Sequence, residues 1–299
     1  MDVVRIAATA HILNYLPEYY AESAGLFAGR GLQVPAYPQD PWTRVLDDLN
    51  SGATDLALCG LWVPAMFAGI RENIAVIGQL NARCPMAIVT RAPVPGFTLG
   101  WLPGRTLLIP GYTGTVPYVF TAGLLREAGL NPADVRFVRD LSRETLLELF
   151  TAGVGDAILV DMLTACRLQH DGAGSVAYHL ADGGVMSNSV YCVRRDRIDS
   201  LRAPLTSFMS AIGEAMATLS GGKPDTVDGL LEQHWPDVEP EVVREAAGYL
   251  MADGTWESSR IDADGCLRMS SMVYDAGLAL RPADYAELVD DSLLSSLDG

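Results

Sequence analysis

The 299-residue chain alternates short apolar runs with longer amphipathic stretches. Apolar runs of four to eight residues bounded by Gly, Pro or Asp read as buried strands, and an apolar period near 3.6 reads as a helix. Residues 3–9 form the first expected strand, ending at Thr9-Ala10-His11. Asn14 to Phe27 then places Leu16, Tyr20, Ala24 and Phe27 near one helical face, until Gly29-Arg30-Gly31 breaks the pattern. Leu32-Gln33-Val34 begins a second strand, Trp42 to Leu49 a short helix, and Asp55 to Cys59 a third strand. Gly60-Leu61-Trp62 leads into a helix whose first turn accommodates Pro64. Ile74–Ile77 and Pro85–Val89 are two more strands.

Pro93-Val-Pro-Gly96 interrupts the rhythm, and a second βαβ region starts at Arg105. Thr106–Ile109 is a strand that ends at Pro110-Gly111. The loop Gly111 to Thr115 follows, and then a helix carrying Tyr118, Phe120, Leu124 and Leu125 that Gly129 stops. Strand, Gly/Thr turn and helix N-terminus together present free N–H groups. The loop lacks a lysine and the phosphate-loop spacing, so it is no nucleotide motif. Ser142 caps a helix bearing Leu146, Leu147 and Phe150, and strands follow at 156–160, 177–180 and 189–194. Beyond Pro204 the pattern is helical, at about 204–219, 225–234, 239–252 and 283–296. The outline repeats once: Asp55–Cys59 and Asp156–Val160 each follow a short helix and a Gly, and each runs into a helix. The expected organisation is an α/β protein of two lobes, the outer from 1–91 and 187–299 and the inner from 92–186, with crossings near Arg91 and Ser187.

Charge narrows the function. There are 37 acidic against 21 basic residues, a formal charge of -16, and Lys223 is the sole lysine. Such a surface repels phosphate backbones and anionic lipid, so neither nucleic acid nor membrane is an expected partner. No run of 18 apolar residues is present. The five cysteines form no C-x-x-C pair and their count is odd, so no disulfide framework is expected. A strand within the first few residues, with no leader before it, makes the cytoplasm the expected compartment, and extracytoplasmic only if a leader has been removed. The histidines lack metal-ligand spacing, so no metal is assigned.

Several segments resemble a known family. Glu22 to Phe27 with Gly31-Leu-Gln-Val34 resembles its helix ending G-L-F and strand opening G-L-x-V. Leu49 to Ala57 resembles its L-x-x-G-x-x-D element, and Leu102-Pro-Gly-Arg-Thr106 its L-K-G-K-x element. Leu125 to Val135 is similar to L-x-x-x-G-L-x-P-x-D-V, and Gly153 to Ala157 matches G-x-x-D-A. The chain thus resembles the type 2 periplasmic-binding-protein fold, in the family of sulfonate, taurine and nitrate binding proteins and the NMT1/THI5-like proteins. The resemblance implies two α/β lobes closing on a small ligand, and a transporter as partner. Family relatives that are enzymes imply a biosynthetic alternative. One of them, a pyrimidine synthase, holds pyridoxal phosphate through a lysine. Lys223, in a loop between expected helices, does not match it, and no cofactor is expected.

Ligands of open α/β sheets sit at the carboxyl ends of strands, which selects the candidate residues. They are His11, Asn14 and Tyr15 after the first strand, and Trp62 after the third as an aromatic wall. From the inner lobe come Thr113, Gly114 and Thr115 as N–H anchors, and Asp161 to bind an amine, orient His11 or cap the next helix. Arg83 is placed near a crossing as an anion clamp, with Asn188 and Tyr191 where the chain returns. Two functions follow. One is capture of a small polar or aromatic, anionic ligand between the lobes, by a monomer or weak dimer. The other is a decarboxylase, dehydratase or pyrimidine-synthase-like rearrangement using His11 as acid or base, with Cys59 and Asp161 as lesser candidates.

Overall fold

The computed structural model describes residues 1–70, 73–111, 115–222 and 227–294. The chain opens with β1 (Asp2–Val3), β2 (Ile6–Ala8), α1 (Leu16–Ser23), β3 (Leu32–Gln33), β4 (Ala36–Pro38), α2 (Arg44–Ser51), β5 (Leu56–Gly60), α3 (Trp62–Phe67) and β6 (Ile74–Asn81). It continues with β7 (Met86–Thr90), β8 (Thr106–Pro110), α4 (Val116–Glu127), β9 (Arg136–Leu141), α5 (Arg143–Thr151), β10 (Ala157–Asp161), α6 (Met162–His170) and β11 (Ser175–His179). It closes with β12 (Ser189–Arg194), α7 (Ile198–Gly221), α8 (Asp228–His234), α9 (Pro240–Ala252), α10 (Ala263–Asp275) and α11 (Tyr285–Leu288).

Two five-stranded sheets organise these elements, in the orders β4-β2-β5-β12-β6 and β11-β7-β10-β8-β9. Each is parallel on one side and carries an antiparallel strand. In the first sheet β12 runs against both β5 and β6; in the second β7 runs against both β10 and β11. Strands covered on both faces read as unbroken apolar runs: β5, β7 and β10 inside their sheets, and β6 at the edge of its own, are buried almost throughout. The two α/β lobes expected from the sequence are therefore present.

The first crossing lies earlier than expected. β7 belongs to the second sheet, so the chain leaves the first sheet between Asn81 and Met86 rather than near Arg91. The Pro/Gly break at 93–96 closes a loop within the second lobe and marks no boundary. The return runs from Gly184 to Asn188, and the crossings pair with one another. Met186 and Ser187 donate backbone N–H groups to Ala82 O, at 3.0 and 3.3 Å, and Asn188 donates to Asn81 O at 2.8 Å. Ser187 adopts a left-handed backbone there, φ 52°.

The helical C-terminus spans both lobes. α9 packs on α6 of the second lobe, and its C-cap Asp253 accepts from His179 Nδ1 of β11 at 2.9 Å. α10 packs against α3 on one side and α4 on the other. Arg268 of α10 clamps Glu127 of α4 with donors at 2.7 and 2.5 Å and lies over the Phe120 ring. Two hydrophobic clusters result, each containing side chains from both lobes.

Several elements differ from the sequence expectation. α7 begins at Ile198, so Pro204 lies inside it rather than at its start. α1 is shorter than expected and is preceded by a single tight turn at Leu13–Tyr15. α10 and the edge strands β4 and β9 are additional, and the described part of the expected helix 283–296, up to 294, holds α11 with its Asp284–Glu287 capping box. Lys223 and the start of the expected helix 225–234 lie outside the described residues.

Candidate functional site

A cavity opens where the carboxyl ends of the parallel strands of both sheets face each other. Its volume is about 60 Å³. From the first lobe come Thr9, Ile12, Asn14 and Tyr15 after β2, and Gly60 and Trp62 after β5. Val116 and Pro117 of α4 and Asp161 of β10 face them from the second lobe. The crossings supply the rest: Pro85 and Met86 on one, Asn188 and Ser189 on the other.

Each polar wall residue is held by a partner. Tyr15 Oη lies 2.8 Å from Thr9 Oγ1, and burial pushes the phenol pKa up. Asn14 donates from Nδ2 to Asn81 Oδ1 at 2.8 Å. Its carbonyl accepts from Asn81 Nδ2 at 2.7 Å and from the fully buried Trp256 Nε1 at 3.0 Å. Side chains locked in this way present a fixed surface to a ligand and lose little entropy on binding. The Trp62 indole forms the apolar wall, braced edge-on by Trp42 at a centroid distance of 5.2 Å. Asp161 caps α6: Oδ1 accepts from Thr164 N at 3.1 Å and Oδ2 from Thr164 Oγ1 at 2.8 Å, with an Arg143 nitrogen 3.7 Å from Oδ2. Of the three roles open to Asp161 in the sequence, the cap is thus occupied.

Of the sequence candidates, Asn14, Tyr15, Trp62, Asp161 and Asn188 line the cavity. Thr115 is the half-buried N-cap residue of α4, one position before the lining. Thr113 and Gly114 lie outside the described residues. The remaining candidates stand elsewhere. His11 is exposed, and its Nε2 lies 2.9 Å from His234 Nδ1, in an aromatic cluster with Tyr19 and Trp235. Burial lowers the pKa of both histidines, and for His234 the neighbouring His11 lowers it further. Arg83 donates to Ala181 O at 3.3 Å and lies 3.8 Å from Glu257, so it braces the crossing. Tyr191 is fully buried in β12, where its hydroxyl donates to Glu18 Oε2 at 2.8 Å. Cys59 is buried with its Sγ 3.7 Å from Cys192 Sγ, so it does not meet His11 as nucleophile and base must.

Sequence reasoning passed over Thr9, Ile12, Gly60, Pro85, Met86, Val116, Pro117 and Ser189. The rule of carboxyl strand ends does not reach Met86 and Ser189. Met86 and Ser189 are the first residues of β7 and β12, strands that run opposite to their neighbours and so bring their starts to the ligand edge.

This architecture defines a two-lobed α/β binding-protein fold, and comparison with solved structures agrees. The periplasmic aliphatic sulphonate binding protein of Escherichia coli superposes with a TM-score of 0.75 at 17% identity, covering 98% of this chain and 99% of that one. The periplasmic nitrate-binding protein of Synechocystis gives 0.71 at 14% identity, with 99% and 88% covered. A putative binding protein of Bacillus subtilis, YtlA, is 21% identical over 246 residues, 80% of this chain and 73% of that protein. The family described as NMT1/THI5 like matches residues 12–222. The chain belongs to that family.

Proposed function

We propose that this protein captures a small organic molecule in the cavity between its lobes and delivers it to a membrane partner. The single observation that carries the reading is the cavity itself, built jointly by both lobes at the ends of strands β2, β5, β8 and β10 and walled by Trp62. The solved neighbours named as periplasmic sulphonate and nitrate binding proteins support the same use of the fold. They equally favour a site of action outside the cytoplasm, and the expected cytoplasmic location finds no support in them. Among the described residues no helix is long and apolar enough to cross a membrane. The membrane partner in this reading is an ABC-type permease.

The enzymatic alternative placed its chemistry on His11, Cys59 and Asp161, of which Asp161 alone lines the cavity. His11 pairs with His234 away from the cavity, and Asp161 is engaged as a helix cap. Native mass spectrometry of protein purified without dialysis tests the proposal. A small molecule is expected to accompany the wild type, and Trp62→Ala should weaken its retention by roughly 2 kcal/mol, about thirtyfold. A co-purifying molecule retained unchanged by Trp62→Ala would place binding outside this cavity and overturn the reading.

A further inference from the structure

Two charge pairs tie the second lobe to the helical C-terminus, and they differ in chemistry. Arg268 of α10 holds Glu127 of α4, and a guanidinium keeps its charge throughout the physiological range. His179 of β11 holds Asp253 at the end of α9, with Nδ1 2.9 and 3.2 Å from the two carboxylate oxygens. An imidazole gains and loses its charge between about pH 5 and 8. Proton activity therefore sets the strength of the second pair and leaves the first unchanged.

The partners of the second pair ride on different lobes. His179 belongs to the second sheet, where it lies opposite Ala87 of β7. Asp253 leads into a segment fastened to the first lobe. Ala82 donates its N–H to Thr255 O at 2.8 Å, and Trp256 Nε1 donates to Asn14 O at 3.0 Å. Gln79 of β6 donates its backbone N–H to Ser259 O at 2.8 Å and Nε2 to Ser258 O at 2.9 Å. Rotation of the lobes about the crossings thus moves His179 against Asp253. The contact is sheltered, with side chains 18% and 13% exposed and the Tyr249 ring edge-on to the imidazole at 4.9 Å, so salt screens it less than a surface pair.

The acids facing His179 act in one direction. Asp182 comes from the turn after β11 and Asp253 from α9, and both favour the imidazolium. Tyr249, also from α9, has its hydroxyl engaged as donor to Glu245. Arg83, on the first crossing, is held by Ala181 O and lies 3.8 Å from Glu257. The hydrogen bond to Asp253 is the largest cause of a raised imidazole pKa, ahead of the desolvation that opposes it.

We infer that the His179–Asp253 pair is a proton-operated latch, which holds the lobes closed over the cavity and releases them as pH rises. The inference rests on the proposed capture function and adds its regulation. In the closed form the imidazolium sits on Asp253; opening parts the two and returns the pKa toward 6.5, so closure takes up a proton. The latch is at full strength below pH 6.5 and is lost as pH rises through the raised value. Each unit that closure adds to the pKa changes the closed-to-open ratio by up to about tenfold across that window.

Small-angle X-ray scattering of exhaustively dialysed, ligand-free protein reads the separation of the lobes. The wild type should have a larger radius of gyration at about pH 9 than at about pH 5.5. His179→Gln keeps an N–H donor for Asp253 but abolishes the titration, and its radius should be the same at both. Asp253→Asn removes the acceptor charge while leaving His179 in place, and it too should lose the difference. Circular dichroism spectra matching the wild type should show that both variants are folded. The latch is overturned if the wild-type radius does not change between the two pH values. It is also overturned if the change survives in either variant. No ligand enters this measurement, so capture itself still stands or falls on the molecule that co-purifies and on Trp62→Ala.

Discussion

Gly60 and Trp62 are mutually dependent: a Cβ at position 60 would lie 2.6 Å from the indole Nε1 and would overlap its Cδ1. Residue 60 ends β5 and residue 62 begins α3, so the chain turns sharply around the ring it uses as a cavity wall. Gly60→Ala should push the indole into the cleft. Calorimetry should show at least tenfold weaker ligand binding, and denaturant melts a stability loss of about 1–3 kcal/mol. Full affinity in this variant would mean that Trp62 does not shape the site.

Glu18 makes stability depend on pH. Its carboxyl is buried with the Tyr191 hydroxyl as donor, and burial raises its pKa from 4.5 to about 7. The folded state holds this proton more tightly than the unfolded state, so unfolding releases it. The stabilising contribution is complete below pH 4.5 and is lost as pH rises through about 7. Relative to Glu18→Gln, the wild type should lose on the order of 3 kcal/mol over that window. Parallel stability-versus-pH curves for the two proteins would contradict this.

His179 shifts the other way in chemical type but in the same sense on the pH axis. Its hydrogen bond to Asp253, and then that carboxylate's charge, raise the imidazole pKa above 6.5 against the desolvation that lowers it. The pair joins β11 to the end of α9, and its contribution is full below pH 6.5 and declines as pH rises through the raised value. Titration of the His179 ring protons by NMR should show a pKa above 6.5 in the wild type. Asp253→Asn should bring it down. Equal values in both proteins would remove Asp253 as the cause.

All five cysteines are buried as free thiols, and burial raises the pKa values of Cys166 and Cys266 to about 12. The thiolate is the reactive form, so native protein should react with a disulfide reagent over hours and denatured protein within minutes. The denatured protein should release five equivalents. A fast native phase would indicate an exposed thiol.

The sequence made the fold legible where packing leaves a local trace. β5, β6, β7, β8, β10 and β12 are apolar runs because neighbours cover both of their faces. β9, with Arg136, Arg139 and Asp140 among its six residues, lies at a sheet edge, and its exposed face erased the apolar signal. α10 buries Cys266, Met269, Met272 and Val273 at helical spacing, but Gly265 and paired serines diluted that stripe. In the site, the strand-end rule located Asn14, Tyr15, Trp62 and Asp161 because each follows or ends a parallel strand. It could not locate His11 correctly, since the ring that turns it aside, His234, comes 223 residues later. It misread Tyr191 for a related reason: a fully buried phenol needs a distant partner, and Glu18 precedes it by 173 residues.

The position of β12 has a consequence for biosynthesis. This strand sits between β5 and β6, yet the ribosome makes it after the whole second lobe. Until Arg194 has emerged, β5 and β6 each present an unpaired, apolar edge, and such edges invite association with other chains. The second sheet, by contrast, is complete once β11 has emerged. The nascent chain therefore assembles its inserted half first, and the half that was synthesised first waits, open in the middle, for its last strand.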